Sequence, residues 1–407
     1  MTSMPNQFDL EGPDFIVFSD DWGEHPSSCQ HIFRHIAKDH RVLWVNTIGM
    51  RNPTFTFRDA RKVVRKATKM FDSRNSASGA RHLGGRITVC QPLMLPGIRW
   101  PMVRRFNARS VTNAVTSLLQ ANKFGDPIIV TTVPNFSEYP ELIEDHKVVY
   151  YCVDDFTLWP GLDAELVREM ESRLIARADC LIAVSEVLCE RLKISGKPVH
   201  LLTHGVDVDL FSTHSEHTHS TLNSIQAPRV GFFGLIDGRM DWDLVVSLTK
   251  MMPEFAFVFA GPVDASAGPL PHATNLHFLG SIGYAELPKF TCGIDALILP
   301  YKANGLGKVL SPLKLKEYLA TGKPVISAPV GAIEDWMDTI SVAHTHGEWA
   351  EYLGKAVGPS AGHRSPVTSE HLRRHSWDAK ATEFLSICSR NLDKAAIVSE
   401  YLPAAAP

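Results

Sequence analysis

At 407 residues, with 44% hydrophobic and 21% charged side chains, the chain is long enough for two domains and has the make-up of an ordinary globular protein. A formal net charge of −3 supplies no overall field toward nucleic acid, so attraction to any polyanion has to come from local patches. The first residues lack the basic start and apolar core of a signal peptide, and no apolar run approaches the roughly 18 residues that suggest a membrane span. The seven cysteines are scattered without a C-x-x-C pair, which predicts reduced, mostly buried thiols in a cytoplasmic protein.

In chain order, short apolar runs alternate with stretches of helical spacing. The first half carries FIVFS (15–19), RVLWVN (41–46), ITVCQ (87–91), IIVTTV (128–133), KVVYYCV (147–153), CLIAVS (180–185) and VHLLTH (199–204). The second half carries RVGFFG (229–234), AFVFAG (256–261), LHFLGS (276–281), ALILPY (296–301) and PVISAP (324–329). Near-continuous Val, Ile, Leu and Phe runs between helices predict parallel sheets covered on both faces. The expected organisation is an N-terminal Rossmann-like domain over 1–205, a polar linker over 206–228, a C-terminal Rossmann-like domain over 229–375, and a terminal helix and tail over 376–407. The fold class is thus α/β, with two doubly wound domains facing a cleft and ligands bound beyond the carboxyl ends of the strands.

Two basic stretches stand out in the first half. Residues 51–70 hold seven Lys/Arg against one Asp, and 97–109 hold four Arg, two aromatic residues and no acid. Each reads either as a solvated helix face or as a surface for anionic lipid headgroups or a phosphate-bearing acceptor.

The segment SPLKLKEYLATGKPV (311–325) poses a physical question. Ser311 suits an N-cap, Pro312 the first helical position and Gly322 the residue past the end, yet Lys314 occupies the first turn, where the dipole favours anions. A lysine there becomes favourable when it and the helix N-terminus hold one anion together. Glu317 lies one turn further along the same face, placed to accept hydrogen bonds from hydroxyls of that ligand. A plain Lys–Glu pair on a solvated face is the alternative, worth roughly 0.2–0.5 kcal/mol.

The stretch ALILPYKANGLGKVLSPLKLKEYLATGKPVIS resembles the donor-nucleotide region of GT-B glycosyltransferases, especially family-4-like enzymes of bacterial surface-polysaccharide synthesis. ARADCLIAVSEVLCERL (176–192), LLTHGVDVDLF (201–211), RVGFFGLIDGRMDWDLV (229–245) and NLHFLGSIGYAELPKF (275–290) resemble further family segments in the family's order. The resemblance covers about residues 14 to 355. It implies a glycosyltransferase moving a sugar from a nucleotide-diphosphate donor to a glycan or polyprenyl-linked acceptor, with no cofactor, no metal and no nucleic acid. It also implies a cytoplasmic location with peripheral contact at the inner face of the plasma membrane.

By the same resemblance Glu317 matches the acid at the nucleotide ribose, Lys314 fits the diphosphate, and Gly234 is the glycine of the first turn in the C-terminal domain. Ser311 and Arg239 complete the expected donor set. Many relatives carry an Arg directly after that glycine and a Lys five residues later, where this chain has Leu235 and Met240. A glutamate frequent in retaining relatives is replaced by Val309, which leaves an inverting mechanism open. An inverting reaction needs a base, and Asp154 and Asp155 at the end of a first-domain strand are the candidates, with capping of the following loop as the alternative. His25, Ser27 and Ser28 are the acceptor-side candidates.

Other signals are discounted. His31 and His35 have metal-compatible spacing but read as helix-surface histidines, and HSEHTH (214–219) reads as polar linker. DVD (207–209) and DWD (241–243) match the metal-binding D-x-D of a different glycosyltransferase fold without its context. A nucleotide-sugar epimerase and a non-catalytic partner subunit on the same plan are the competing functions.

Overall fold

The computed structural model describes residues 13–23, 27–47, 80–82, 86–159, 161–213, 215, 217–303, 313–331, 333, 336–357 and 369–392. Residues 51–70, His25 and Ser311, singled out above, lie outside them. The chain divides into two compact units, one of residues 1–203 with 380–407, the other of residues 204–379.

The first unit is built on β1 (Phe15–Ser19), β2 (Val42–Asn46), β3 (Ala80–His82), β4 (Ile87–Cys90), β5 (Ile128–Thr131), β6 (Val148–Cys152), β7 (Cys180–Ala183) and β8 (Val199–Leu201), in the order β3-β4-β2-β1-β5-β6-β7-β8. All pairs are parallel except β3 with β4. β1, β2, β5, β6 and β7 are buried along their whole length, as parallel strands covered on both faces must be. The strand order reverses direction between β1 and β5, the switch point at which open α/β sheets form a crevice.

The second unit contains β9 (Arg229–Phe233), β10 (Ala256–Ala260), β11 (Leu276–Gly280), β12 (Ala296–Leu299), β13 (Val325–Ser327) and β14 (Ser341–Val342), all parallel in the order β11-β10-β9-β12-β13-β14. Its switch point lies between β9 and β12. Every apolar run read from the sequence is a strand; β3 and β14 are additions, each too short for its residues to show a pattern.

The stretch expected as a featureless linker is folded. Asp207 caps a helix Val208–Ser212, and Val206, Val208, Phe211, Leu222 and Ile225 are buried in the second unit's core. The helix Trp377–Asn391 begins in the second unit, and its residues from Lys380 onward pack with the first. There the Phe384 ring meets Phe33 and Tyr151 edge-on, and Asn391 Oδ1 is 3.0 Å from His200 Nε2. Among the described residues no helix is long and apolar enough to cross a membrane.

One polar knot fixes the amino-terminal edge of the first sheet. The Asp14 carboxylate accepts from Arg41 Nε at 2.8 Å and from its terminal nitrogen at 2.6 Å, and also from the Gly125 N–H at 2.9 Å. Arg41 directs two further N–H groups to the carbonyls of Asn122 and Lys123. Hydrogen bonds to charged groups contribute about 1.5–3 kcal/mol each when buried. Asp14→Ala should therefore lower the unfolding temperature of the first unit, with a loss of about 2 kcal/mol after discounting for the part-exposed arginine. An unshifted calorimetric transition would mean that solvent replaces the carboxylate without cost.

Candidate functional site

The second unit's switch point is a layer of glycines at the carboxyl ends of its strands. Gly234 follows β9 with φ at 134°, and Gly261 follows β10 with φ at 151°, both in the region that favours glycine. The Gly234 N–H donates to Ala260 O at 2.8 Å and the Gly261 N–H to Gly280 O at 2.7 Å, so the ladder continues past the strand ends. A Cβ on Gly261 would lie 1.8 Å from Gly234 O.

Lys314 reaches this layer from the helix Leu313–Ala320. A Cβ on Gly234 would fall 1.6 Å from Lys314 Cε and 2.7 Å from Nζ, so the lysine stem lies directly across the glycine backbone. The helix is held there by Tyr318. β12 pairs with β9 only as far as Gly231, and the Tyr318 hydroxyl covers the gap, accepting from Phe233 N at 3.0 Å and donating to Phe233 O at 3.1 Å. At the other end Gly322 takes φ of 69°, the left-handed residue expected there.

The helix differs from the sequence expectation in one respect. It is buried nearly all round, with Lys316 and Glu317 inside together with Leu315, Tyr318 and Leu319. Lys316 Nζ donates to His204 O at 2.6 Å and lies 3.2 Å from His375 Nδ1. Glu317, 5% exposed, accepts from the Tyr284 hydroxyl at 3.2 Å. A solvated Lys–Glu surface pair is thereby replaced by a buried carboxyl. Burial pushes its pKa up to about 7, against the pull of Lys314 and the Tyr284 hydrogen bond, with Asp207 adding to the rise.

The remaining donor candidates are placed less favourably. The Arg239 guanidinium is bound to Asp237, with a terminal nitrogen at 2.6 Å and Nε at 2.8 and 2.9 Å from the two carboxylate oxygens, and sits 5.4 Å from the Tyr301 ring centre. Met240 is fully buried and Leu235 is exposed, and both are uncharged, so neither position supplies a cation. The D-x-D stretches are helix starts: Asp207 accepts from Leu210 N, and Asp241 from Leu244 N, both at 3.0 Å.

In the first unit the paired aspartates shape the turn after β6. Asp155, 9% exposed, accepts from Thr157 N at 3.0 Å and from its hydroxyl at 2.5 Å. Its other oxygen is 3.8 Å from Arg191 Nε, and Arg191 is itself clamped by Glu171. Asp154 accepts from the Asp155 N–H at 2.8 Å and from Trp159 Nε1 at 2.9 Å. The capping role is therefore real for both, and Asp155 keeps one oxygen without a close hydrogen-bond donor.

At the first switch point, Asp20 follows β1. Its carboxylate accepts from the hydroxyls of Ser19 (2.8 Å) and Ser27 (2.9 Å) and from the Gln30 side-chain amide. Burial raises its pKa in spite of these bonds. Ser27 also caps the helix Ser28–Ile36, with Gln30 three residues on, and Ser28 is buried. Neither serine is a simple open contact for an acceptor. His31 is buried rather than on the helix surface, and burial lowers its pKa to about 4.

Asp20, Tyr284 and Tyr318 were not read as site residues from sequence. Ser27 and Gln30 have the S-x-x-Q spacing of a capping box, a helix-start signal that could have flagged the turn around Asp20, although the Gln30 side chain bonds Gly23 N and Asp20 instead of the cap. Nothing in the pattern pairs Tyr284 with Glu317, which are 33 positions apart.

No family model matches the chain. A putative teichuronic acid biosynthesis glycosyltransferase of Bacillus subtilis, TuaH, is 25% identical over 264 residues, which is 60% of this chain and 66% of that protein. Among solved structures, sucrose-phosphate synthase of Thermosynechococcus elongatus superposes with a TM-score of 0.66 at 14% identity, covering 94% of this chain and all of that one. HepE of Anabaena, solved in complex with UDP and glucose, gives 0.64 at 13% identity over 93% of this chain and 100% of that one. The two-unit plan of parallel Rossmann-like sheets is the GT-B fold.

The buried Glu317 has a measurable consequence. An acid whose pKa is raised on folding, from 4.5 to about 7, holds a proton in the native state that the unfolded chain has already lost within that window. Stability from this group is therefore full below about 4.5, falls as pH rises to about 7, and is flat above. Glu317→Gln should remove this slope, so that the variant gains on the wild type across the window by about 3 kcal/mol at most. Parallel urea-denaturation curves for the two proteins at every pH would contradict a buried, proton-retaining carboxyl.

Proposed function

We propose that this chain is a glycosyltransferase that moves a sugar from a nucleotide-diphosphate donor to a glycan or lipid-linked acceptor in polysaccharide biosynthesis. The observation that carries this reading is Lys314 laid across Gly234 at the second switch point, with the buried Glu317–Tyr284 pair one turn further along the same helix. The likeness to TuaH and to a fold solved with UDP and glucose supports it.

In this reading Lys314 and the first turn of its helix neutralise the charge that grows on the departing diphosphate. A preorganised donor in a dry site contributes about 3–4 kcal/mol to such a step. Gly234 lets backbone approach the phosphates, and Glu317 accepts from a ribose hydroxyl. For that role it must be ionised or exchange its Tyr284 hydrogen bond for one to the ribose. Arg239 joins the diphosphate only by leaving Asp237. The acceptor hydroxyl loses its proton to Asp155, through the oxygen that Thr157 does not occupy. Lysine and helix dipole replace a metal ion here, and the reading places the protein in the cytoplasm, at the inner face of the plasma membrane.

Calorimetric titration of UDP, GDP and TDP should find tight binding of one nucleotide, weakened at least tenfold (about 1.4 kcal/mol) by Lys314→Ala. Absence of binding by all three would remove the support for a donor site. Asp155→Asn should keep that nucleotide affinity and lose turnover; near-normal turnover with the fold intact would end its role as the base. Dialysis against EDTA should leave transfer unchanged, whereas strict dependence on Mn²⁺ or Mg²⁺ would overturn the metal-independent scheme. Product formed without any acceptor would instead indicate an epimerase.

A further inference from the structure

We propose, resting on the reading of Asp155 as the base, that Arg191 is a positioning residue for it. Glu171 holds the Arg191 guanidinium just short of a hydrogen bond to Asp155, so that one carboxylate oxygen has a cation beside it and still stands open to a proton.

The cluster is set up by the strand that precedes Asp155. Alternate residues of a strand share a face, so Tyr150 and Cys152 of β6 lie on one side of the sheet. The helices Ala164–Arg177 and Glu186–Lys193 bring Glu171 and Arg191 to them. Glu171 is buried along with Val167, Met170 and Leu174 of its helix. The Tyr150 hydroxyl donates to Glu171 Oε1 at 2.6 Å. Arg191 donates to Glu171 with both terminal nitrogens, at 2.6 and 2.8 Å, and one of these also reaches Cys152 Sγ at 3.4 Å. A guanidinium gripped at two points is fixed in orientation as well as in place.

Its third nitrogen is the unexplained one. Arg191 Nε is buried and donates to nothing. It lies 3.8 Å from Asp155 Oδ2, beyond hydrogen-bond length but well within the range of charge attraction. Buried donors are nearly always bonded, so this one calls for a cause. Two demands on the same carboxylate supply it. A carboxylate as buried as Asp155 needs a positive charge close by. A direct ion pair would place a donor on Oδ2, while Oδ1 already accepts from the Thr157 N–H and hydroxyl. With Glu171 taking the arginine fork, the charge is present and the bond is not. In the transfer, the acceptor oxygen bonds the anomeric carbon, the bond to the diphosphate breaks with its electron pair, and the acceptor's proton passes to Oδ2.

The test follows the Arg191 Nε–H signal by nuclear magnetic resonance in the isotope-labelled full chain, identified by its loss in Arg191→Lys. Glu171→Gln keeps the shape and an acceptor for Tyr150 but removes the charge that restrains Arg191. The Nε–H signal should then move downfield as the guanidinium closes on Asp155, and adding Asp155→Ala should cancel the move. Tyr150→Phe loosens the same grip and should give a smaller move in the same direction; it serves if Glu171→Gln does not fold. Glu171→Gln should also lower kcat about tenfold, part of the ~10²–10⁴ that a general base contributes, with acceptor KM and nucleotide affinity unchanged. An unmoved Nε–H signal or an unchanged kcat overturns the proposal. So does a fall in kcat matched by a fall in nucleotide affinity, which a merely structural clamp would give. Normal turnover in Asp155→Asn would instead remove the base itself, whereas an inactive Asp155→Asn beside an unmoved signal removes only the part given to Arg191.

Discussion

The second unit is organised around a crossing of three segments that leaves no room for a further side chain. Lys314 passes over Gly234, and Gly234 in turn sits on Gly261, so three segments meet through backbone and a methylene stem alone. Such an approach needs glycine at both strand ends, in dihedrals that other residues adopt only under strain. It also needs the lysine helix to be held at a fixed height above the sheet. The Tyr318 hydroxyl does this by bonding both the N–H and the C=O of Phe233, the residue immediately before the glycine. The cation is thus set by covalent geometry and one phenol, with no adjustable loop between them.

The first unit treats its carboxylates differently. Asp14 ties strand to loop, Asp154 and Asp155 fold the turn after β6, and Asp20 collects three side-chain donors at the end of β1. Each of these acids stands at an end of a strand, where backbone groups leave the ladder and need partners. Most of their oxygens are therefore taken up in holding the fold. Asp155 escapes in part because Thr157 occupies only one of its two, while Arg191, the nearest cation to the other, is already held in a two-point grip by Glu171.

The sheets were legible in the sequence because parallel strands are buried on both faces and leave uninterrupted apolar runs. FIVFS and AFVFA could be read as strands from five residues. β3 and β14 could not, being edge strands of three and two residues. The stretch after residue 206 was misread because its burial rests on isolated residues, Val208, Phe211 and Leu222 among polar ones, with no period to reveal them. In the site, Lys314 announced itself by standing where a helix dipole disfavours a cation. The state of Glu317 was invisible, because its burial depends on Tyr284 from another strand-loop-helix segment. His31 was misjudged for the same reason: a polar name on a short helix does not say which side faces the sheet.

The helix Trp377–Asn391 carries a last implication. Because Phe384 completes an aromatic cluster with Phe33 and Tyr151, and Asn391 meets His200, the amino-terminal unit is not a contiguous stretch of gene. The inserted unit is held at its own boundary by a bridge from Val206 to Ser376 and by Trp377 packed where any side chain on Gly205 would stand. Recombination that exchanged the second unit for another would have to splice at both crossings at once. A single crossover would leave the recipient sheet without its last layer, so the second unit is expected to change by substitution within it rather than by shuffling of modules.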